Sequence, residues 1–432
     1  MHDRQRRSRT VFTRPRKRTS MDAVIVAAGK GTRMRPLTDT RPKPLLPVGT
    51  TTLLERAMAQ CAPHVERYVL VVGYRGEQIR ETVGDEFDGK PVAYVEQRER
   101  KGTAHAVGQA ADVVDDRFLV LNGDLVLDDA LFEALAATDG HALTVTTVPN
   151  PSQYGVVDVD ASASGDGAHA DLEVTGIVEK PEDPPSDLGN VGVYAFEPSV
   201  FDAIDRTSLS PRGEYEITDS IDLLLEDDEA IAAVEYDGTW LDVGRPWELL
   251  DANESVLGQL DSADAALDGT VEEGATLHGP VVVEDGARVR SGAYVEGPVV
   301  IRSGADVGPN AYVRGASVIG PDVRIGNGVE VKNSVLLEDA HAAHLSYVGD
   351  SVLGAHSNFG AGTVVANLRH DDANVRMRVK GEAVDTGRRK LGVVLGDEVK
   401  TGIDTSLNAG VVLGTGAATE PGETVTRDRG RE

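Results

Sequence analysis

A six-residue spacing of aliphatic side chains dominates the second half of the chain. Twelve consecutive positions follow it: Val271, Leu277, Val283, Val289, Val295, Ile301, Val307, Val313, Ile319, Ile325, Val331 and Leu337. A period of six matches neither the 3.6-residue repeat of a helix nor the two-residue alternation of a strand. It is typical of a solenoid in which each short, flat face takes one hexapeptide. We therefore predict a parallel β-helix over residues 268–417, followed by a C-terminal tail (418–432).

Two segments interrupt this spacing, which resumes at Leu353 and again at Leu395. Residues 338–352 and 366–391 are predicted to leave the solenoid as long loops. Such loops are usually functional, because an ordered excursion from a rigid scaffold carries an entropic cost. The end coils of a solenoid also leave strand edges unpaired, so we expect self-association.

The first half alternates strands with helices. Strands are predicted at 22–27, 68–74, 92–97, 118–124 and 142–148, and helices at 52–62, 76–84 and 102–114. This order is typical of an α/β fold with a mainly parallel sheet, whose ligands bind at the carboxyl ends of the strands. We assign residues 21–251 to this domain, with a hairpin or loop insertion at 164–173. Residues 252–267 are predicted to form a helical connector.

The composition limits the partners of the protein. The 432 residues include 71 acidic and 43 basic side chains, for a net charge of −28. Such a surface repels nucleic acids and anionic membranes, and it suits the salt-rich cytoplasm of a halophile. A single cysteine, Cys61, and the lack of any apolar run of about 18–20 residues favour a cytoplasmic protein.

The first 20 residues differ from the rest, with eight Lys or Arg and one acidic residue. They are predicted to be a disordered basic tail, or an upstream extension before a true start at Met21. A nucleic-acid-binding arm remains the alternative.

A glycine-rich segment, AAGKGTRMRP (27–36), directly follows the first predicted strand. Gly29 and Gly31 allow the backbone to approach a phosphate and to direct N–H groups at it. Arg33 would add a charged fork. Met34 breaks the dinucleotide-binding pattern, and the segment also lacks the P-loop spacing.

The longer run GKGTRMRPLTDTRPKPLLPVGTTTLLE (29–55) closely resembles the sugar-nucleotide pyrophosphorylase family. The motifs EQRERKGTAHAV (96–107), NGD (122–124) and WLDVG (240–244) follow in the family's order. The resemblance implies that Arg33 and Lys43 are catalytic and bind phosphates, and that Asp124 and Asp242 bind Mg²⁺. It assigns the nucleotide to Ala28, Gly29, Gly31, Thr32, Gln97, Gly102 and Thr103, and the sugar phosphate to Gly155, Glu179, Lys180 and Asn190.

The implied reaction explains these residue types. A sugar-1-phosphate oxygen attacks the α-phosphorus of UTP or dTTP, and pyrophosphate leaves. Lys43, Arg33 and Mg²⁺ would offset the repulsion between the two anions. Two carboxylates suffice, because Mg²⁺ keeps waters and takes phosphate oxygens as its other ligands. Taken singly, Asp124 could be a turn residue and Lys43 a solvated charge, so the inference rests on the set.

The segment HLSYVGDSVLGAHSNFGAGTVVAN (344–367) resembles the acetyltransferase half of the bifunctional glucosamine-1-phosphate acetyltransferase / N-acetylglucosamine-1-phosphate uridyltransferase family. The NLRHDDANV loop (367–375) matches its archaeal form. The resemblance implies a left-handed β-helix, a homotrimer or a multiple of it, and acetyl-CoA as co-substrate. It makes His344 the general base, with Arg314, Lys332, Tyr347 and Asn358 binding the sugar phosphate, and Asn367 and Lys390 binding acetyl-CoA. Ile403, where the bacterial family has serine, and the short C-terminus depart from that pattern.

Two enzyme functions fit these observations. The first is a bifunctional enzyme that acetylates glucosamine-1-phosphate and then forms UDP-N-acetylglucosamine. The second is a glucose-1-phosphate thymidylyltransferase or uridylyltransferase whose β-helix only mediates oligomerisation or regulation. A structural protein with an inactive nucleotide-binding domain is disfavoured, since Arg33, Lys43, Asp124 and Asp242 are all present. The sequence leaves the base and the hexosamine open.

Overall fold

A computed structural model describes residues 21–161, 172–261 and 265–430. The predicted basic tail (1–20) and most of the predicted insertion (164–173) lie outside these residues. Within the described residues, no helix combines the length and apolar character that crossing a bilayer requires.

The first part of the chain is an α/β unit. Its strands are β1 (Met21–Ala27), β2 (Pro47–Val48), β3 (Thr51–Thr52), β4 (Val65–Val72), β5 (Glu86–Phe87), β6 (Lys90–Glu96), β7 (Phe118–Asn122), β8 (Leu125–Val126), β9 (His141–Thr147), β10 (Gly155–Ala161), β11 (Leu172–Glu179), β12 (Leu188–Phe196), β13 (Ile231–Glu235) and β14 (Leu241–Asp242). Its helices are α1 (Leu53–Cys61), α2 (Gly76–Val83), α3 (Thr103–Gly108), α4 (Ala130–Ala137), α5 (Val200–Arg206), α6 (Ile217–Glu226) and α7 (Pro246–Gly258). Short 3₁₀ turns cover Thr32–Met34, Lys43–Leu45, Ala62–His64 and Pro151–Gln153.

The main sheet has the strand order β10-β11-β13-β9-β12-β7-β1-β4-β6-β5. Strand β1 lies parallel to both β4 and β7. The prediction of a mainly parallel sheet holds only for this central part, because antiparallel pairs outnumber parallel ones along the whole order. Strand β12 runs antiparallel between β7 and β9, so the sheet is mixed on that side. Both faces of β1 are covered, since Ile25 packs in one apolar cluster and Val24 in the other. This double burial leaves the carboxyl ends of the central strands as the place for a ligand.

The second part of the chain is a parallel β-helix with three faces, consistent with the predicted left-handed form. The first face contains Thr270–Val271, Arg288–Val289, Asp306–Val307, Arg324–Asn327, His341–His344 and Asn358–Phe359. The second contains Thr276–His278, Tyr294–Glu296, Tyr312–Arg314, Glu330–Lys332, Tyr347–Gly349, Val364–Val365, Ser406–Leu407 and Thr424–Val425. The third contains Val281–Val283, Val299–Ile301, Ser317–Ile319, Val335–Leu336, Val352–Leu353, Val394–Leu395 and Val412–Leu413.

The six-residue spacing fills the core of this β-helix, with one correction. Ile319 pairs with Leu336, so the coil is one residue shorter than the previous one, in which Ile301 pairs with Ile319. Leu336 therefore occupies the core, and Leu337 packs in a different cluster. The prediction that residues 338–352 leave the solenoid is wrong, because they contain two of its strands and the first residue of a third. The shortened coil explains why the six-residue spacing is interrupted after Leu337, although the backbone forms no loop there.

The second interruption is a real excursion. It contains an antiparallel hairpin of Arg376–Val379 with Glu382–Asp385, which we call the solenoid hairpin. The predicted tail is also different in the structure, since Thr424–Val425 pairs with Ser406–Leu407 as part of a further coil. The helix assigned to residues 252–267 begins earlier, at Pro246, and ends at Gly258.

The two parts of the chain share an apolar core. In the third face the middle residues Val300 and Val318 point out of the solenoid, and they join Trp247 and Leu250 of α7 in one buried cluster. The same cluster holds Leu37, from the segment after the glycine-rich turn. The segment that carries the predicted phosphate site is therefore packed into the domain interface.

Two ionic clusters flank this interface. Arg41 donates to both carboxylate oxygens of Glu338, at 2.9 and 2.7 Å, and lies 3.2 Å from Asp397. On the side of α7, Arg388 contacts Asp251 and Glu254. Only the first cluster involves the segment between the glycine-rich turn and Lys43.

A buried histidine in β9 predicts how stability depends on pH. The backbone N–H of Glu197 donates to Nδ1 of His141, whose Nε2 lies 3.0 Å from the Ser199 hydroxyl. Burial, with Arg117 nearby, lowers the pKa of His141 to about 4. The unfolded chain takes up this proton near pH 6.5, so stability falls by about 3 kcal/mol between roughly pH 6.5 and 4. We expect His141→Gln to reduce this loss of unfolding free energy, measured by urea unfolding at pH 6.5 and pH 4. If the variant loses as much stability as the original protein, His141 is not the cause.

Candidate functional site

The glycine-rich turn packs directly on Lys43. Gly31 has a φ of 59°, and a Cβ added to it would lie 3.0 Å from Cβ of Lys43. The Thr38 hydroxyl donates to the Gly31 carbonyl at 2.8 Å and fixes the turn. A Cβ at Gly29 would meet no atom within 4 Å, so open space lies above that backbone. Ala28 is buried at the base of the turn, whereas Thr32 is exposed.

The predicted cation and both predicted metal ligands come together. Asp242 lies in β14, which pairs with β8 directly after Asp124. The buried ammonium of Lys43 forms an ion pair with Asp124 and lies 3.8 Å from Asp242. The guanidinium of Arg33 lies beside Gly244, where an added Cβ would be 2.9 Å from its Nη2. Burial raises the pKa of the Asp124 carboxyl, and the positive charge of Lys43 opposes that rise.

The residues predicted to bind the base form a second group. The Gln97 amide donates to the Gly102 carbonyl at 3.1 Å and lies 3.0 Å from Nδ1 of His105. Gly102 has a φ of 111°, and a side chain there would collide with the Tyr215 backbone. The Thr103 hydroxyl accepts from the Ile217 N–H at 3.0 Å. Gln97, Gly102 and Thr103 are therefore adjacent.

The residues predicted to bind the sugar form a third group. A Cβ at Gly155 would lie 3.2 Å from Oε2 of Glu179 and 3.5 Å from Cβ of Asn190. Lys180 has its ammonium 3.4 Å from Glu179. The Asn190 amide donates to the Tyr194 hydroxyl at 2.7 Å.

Sequence reasoning missed Arg212, which connects the sugar and base groups. Its guanidinium donates to Glu179 at 2.9 Å and to Glu216 at 2.8 Å. The adjoining Tyr215 donates its N–H to the Lys101 carbonyl. The charge of Arg212 and its closeness in sequence to Glu216 could have suggested an ion pair. No local pattern identifies Glu179 as its distant partner.

On the solenoid, four predicted residues lie around an acid that sequence reasoning missed. Asp350 is buried, and its carboxylate accepts from Lys332 at 3.0 Å and from the Asn367 amide. The same amide lies 3.2 Å from the Tyr347 hydroxyl. Arg314 is one coil away, opposite Lys332 in the strand register, and donates to Glu330. In the sequence, the short motif VGD (348–350) could have drawn attention to Asp350.

Two other predicted residues stand apart from this cluster. His344 and Asn358 are exposed on the first face. Among the described residues, no hydrogen bond joins either side chain to the Lys332–Asp350–Asn367 group. Lys390 does lie near that group, lining a cleft of about 660 Å³ with Asp350 and Asn333. One chain therefore assembles the Lys332–Asp350–Asn367 group, and His344 is exposed apart from it.

Comparisons with known proteins cover both parts. The nucleotidyl transferase family model matches residues 22–259, and the model of the GMPPB C-terminal domain matches residues 295–420. The bifunctional protein GlmU of Methanocaldococcus jannaschii is 41% identical over 91% of this chain and 92% of its own length. This chain belongs to the bifunctional GlmU family. The predicted family and the prediction of a transferase are thus confirmed.

Further relatives show the breadth of this family. The bifunctional sugar-1-phosphate nucleotidylyltransferase/acetyltransferase of Sulfurisphaera tokodaii is 37% identical over 95% of this chain and 98% of its own length. The low-salt glycan biosynthesis nucleotidyltransferase Agl11 of Haloferax volcanii is 38% identical over 79% of this chain and 94% of its own length. A UDP-glucose pyrophosphorylase structure, 23% identical, covers 56% of this chain and 100% of its own, with a TM-score of 0.50, and supports the α/β fold alone.

Proposed function

We propose that this GlmU-family chain acetylates glucosamine-1-phosphate on its β-helix and transfers a uridylyl group to the product on its α/β unit. The products would be UDP-N-acetylglucosamine and pyrophosphate. The contact of Lys43 with Asp124, beside an open glycine-rich turn, carries the nucleotidyl-transfer part of the proposal. A buried lysine between two carboxylates, next to unobstructed backbone N–H groups, is suited to polyphosphate chemistry.

The donor set fits Mg²⁺, although the described residues contain no cluster of three His, Cys, Asp or Glu that could hold a metal. Asp124 and Asp242 would supply two oxygen ligands, and phosphate and water oxygens would complete the six positions that Mg²⁺ takes. The ion would neutralise charge on the phosphate oxygens. Lys43 then releases Asp124 and binds a phosphate, and Arg33 supports the departing pyrophosphate. The sugar phosphate is already ionised, so this step needs no general base.

The sugar and base groups define the orientation of the substrates. Glu179 and Asn190 offer one carboxylate and one amide packed closely around Gly155, where a Cβ would contact both of them. Gln97, whose amide donates to the Gly102 carbonyl, would lie beside the base. Arg212 contacts Glu179 of the sugar group and also Glu216, which precedes the Ile217 N–H that donates to Thr103. The base and the sugar would therefore be held in a fixed relation.

For acetyl transfer we assign His344 as the general base. The amine nitrogen attacks the thioester carbonyl carbon, a C–N bond forms and the C–S bond breaks. His344 accepts the amine proton and returns it to the leaving thiolate. Lys332 and Arg314 would bind the sugar phosphate, and Asn367 and Lys390 would contact acetyl-CoA. The open position of His344 favours a site shared with a neighbouring copy. We propose a homotrimer or a multiple of it, located in the cytoplasm.

A second candidate function is nucleotidyl transfer to a different sugar phosphate, such as glucose-1-phosphate, with UTP or dTTP. The similarity to Agl11, named as a glycan biosynthesis nucleotidyltransferase, favours it. A panel assay of the purified protein would separate the two functions. Four sugar phosphates are each tested with UTP and dTTP, with and without acetyl-CoA. The proposed function requires thiol release with glucosamine-1-phosphate; its absence would leave the second function.

The ionic cluster at Arg41 leads to a prediction about positioning. Arg41 lies two residues before Lys43 and is held by Glu338 and Asp397 of the β-helix. We expect Arg41→Ala to lower kcat for nucleotidyl transfer by about 10–100-fold, since small displacements of a catalytic group cost that much. Arg41→Lys would restore part of it, and KM for UTP would change little.

Arg388→Ala is the matched control, because it removes the other interdomain ion pair without touching the Lys43 segment. It should leave kcat for nucleotidyl transfer within about twofold. If both variants lower kcat equally, Arg41 acts only by holding the domains together, and the positioning role is wrong.

A further inference from the structure

A wide cleft separates the glycine-rich segment from the solenoid hairpin. Its volume is about 1630 Å³. On one side it is lined by Thr32, Arg35 and Asp39, and on the other by Arg376, Arg378 and Lys380. Typical small-molecule sites enclose about 300–1000 Å³, so the cleft has room for a ligand of nucleotide size.

The lining is cationic in an otherwise acidic chain. Among the described residues it contains five basic side chains, Arg35, Arg376, Arg378, Lys380 and Arg427, against two acids, Asp39 and Asp428, of which Asp39 pairs with Arg35. The whole chain has a net charge of −28. Within the described part of the chain, Arg376, Lys380 and Arg427 form no ion pair, whereas Arg288, Arg290 and Arg314 on the same solenoid each pair with an acid. A local excess of unpaired cations in such a surface favours an anionic ligand.

The alternation of the hairpin strand explains how these charges are presented. Val375, Met377 and Val379 are buried in the interdomain core, and Arg376, Arg378 and Lys380 are exposed between them. Successive side chains of a strand point to opposite faces. The apolar face therefore anchors the hairpin, and the cationic face is directed to the cleft.

The cleft is distinct from the nucleotidyl-transfer site. Lys43, Asp124 and Asp242 do not line it, and Thr32 is the residue that borders both. We propose that this cleft is a second anion site, which binds a diphosphate-bearing metabolite. Guanidinium groups recognise phosphate oxygens through paired hydrogen bonds, and a lysine adds a point charge. The ligand is either free pyrophosphate or a nucleoside diphosphate sugar. These two candidates are chosen because they are products of the proposed function; the anion site itself is inferred from the cleft alone.

Isothermal titration in EDTA tests the site without turnover. The titrations use the Lys43→Ala variant, in which binding at the nucleotidyl-transfer site is weakened. The binding that remains is then binding in the cleft. Pyrophosphate and UDP-N-acetylglucosamine are titrated separately at the lowest salt at which circular dichroism shows folded protein. We expect one molecule per chain, and binding at least about tenfold weaker when Arg376→Gln and Lys380→Gln are added.

The matched control is Arg324→Gln, which removes an exposed charge from the same solenoid outside the cleft. It should leave the Kd unchanged. Tighter binding of pyrophosphate identifies the free product as the ligand, and tighter binding of the UDP-sugar identifies the nucleotide sugar. The proposal is overturned if neither anion binds, or if the double variant and the control have the same Kd. Loss of nucleotidyl transfer in Lys43→Ala is a separate result and tests the proposed function alone.

Discussion

Lys43→Ala should lower nucleotidyl transfer by about a thousandfold and leave acetyl transfer unchanged. Lys43 is the buried cation that contacts Asp124 and approaches Asp242. Removal of one preorganised group that stabilises developing charge costs about 10²–10³ in kcat, and here two carboxylates would also lose their counter-charge. Pyrophosphate release measures the first activity, and thiol release from acetyl-CoA measures the second.

Lys90→Ala provides the matched control, because Lys90 begins β6, next to the edge strand β5. Both activities should persist in that variant. If Lys43→Ala reduces thiol release as strongly as pyrophosphate release, the two activities do not have independent sites. If it spares pyrophosphate release, the assignment of the phosphate site is wrong.

His344→Ala should lower the rate of thiol release with glucosamine-1-phosphate by about 10²–10⁴-fold, because general-base catalysis contributes that much. Nucleotidyl transfer to N-acetylglucosamine-1-phosphate should continue at the original rate. The contrast depends on His344 lying on the β-helix, away from the Lys43–Asp124 pair.

His356→Ala is a stringent control, since His356 is another exposed histidine of the β-helix, in the turn before the first-face strand Asn358–Phe359. Its hydrogen bond to Asp339 raises the pKa of His356, so it holds a proton more firmly and is less suited to act as a base. Thiol release should therefore survive this change. Equal losses in the two variants would indicate that His344 has only a structural effect.

The six-residue spacing predicted the solenoid because each aliphatic residue fills one position of a repeating core. It could not predict the shortened coil. Leu336 and Leu337 are both aliphatic, and only the pairing of Ile319 with Leu336 decides which of them points inward. The slip therefore looked like a loop, although the backbone stays in the solenoid.

The sites show the same limit. Motifs identified Lys43, Asp124 and Asp242, and the structure places them together. Asp350 and Arg212 escaped because their roles depend on partners brought near by folding, such as Lys332 and Glu179. Arg41 escaped for the same reason, since Glu338 and Asp397 lie 297 and 356 residues further along the chain.

The shared apolar core also limits how the two activities can be separated by engineering. A chain truncated after Gly258 would expose Trp247, Leu250 and Leu37 to water, because their cover comes from the third face of the β-helix. Such a fragment would have an exposed apolar stripe beside its glycine-rich segment. A soluble fragment with one activity would need polar replacements for these apolar residues. Point substitutions in the intact chain are the simpler way to remove one activity.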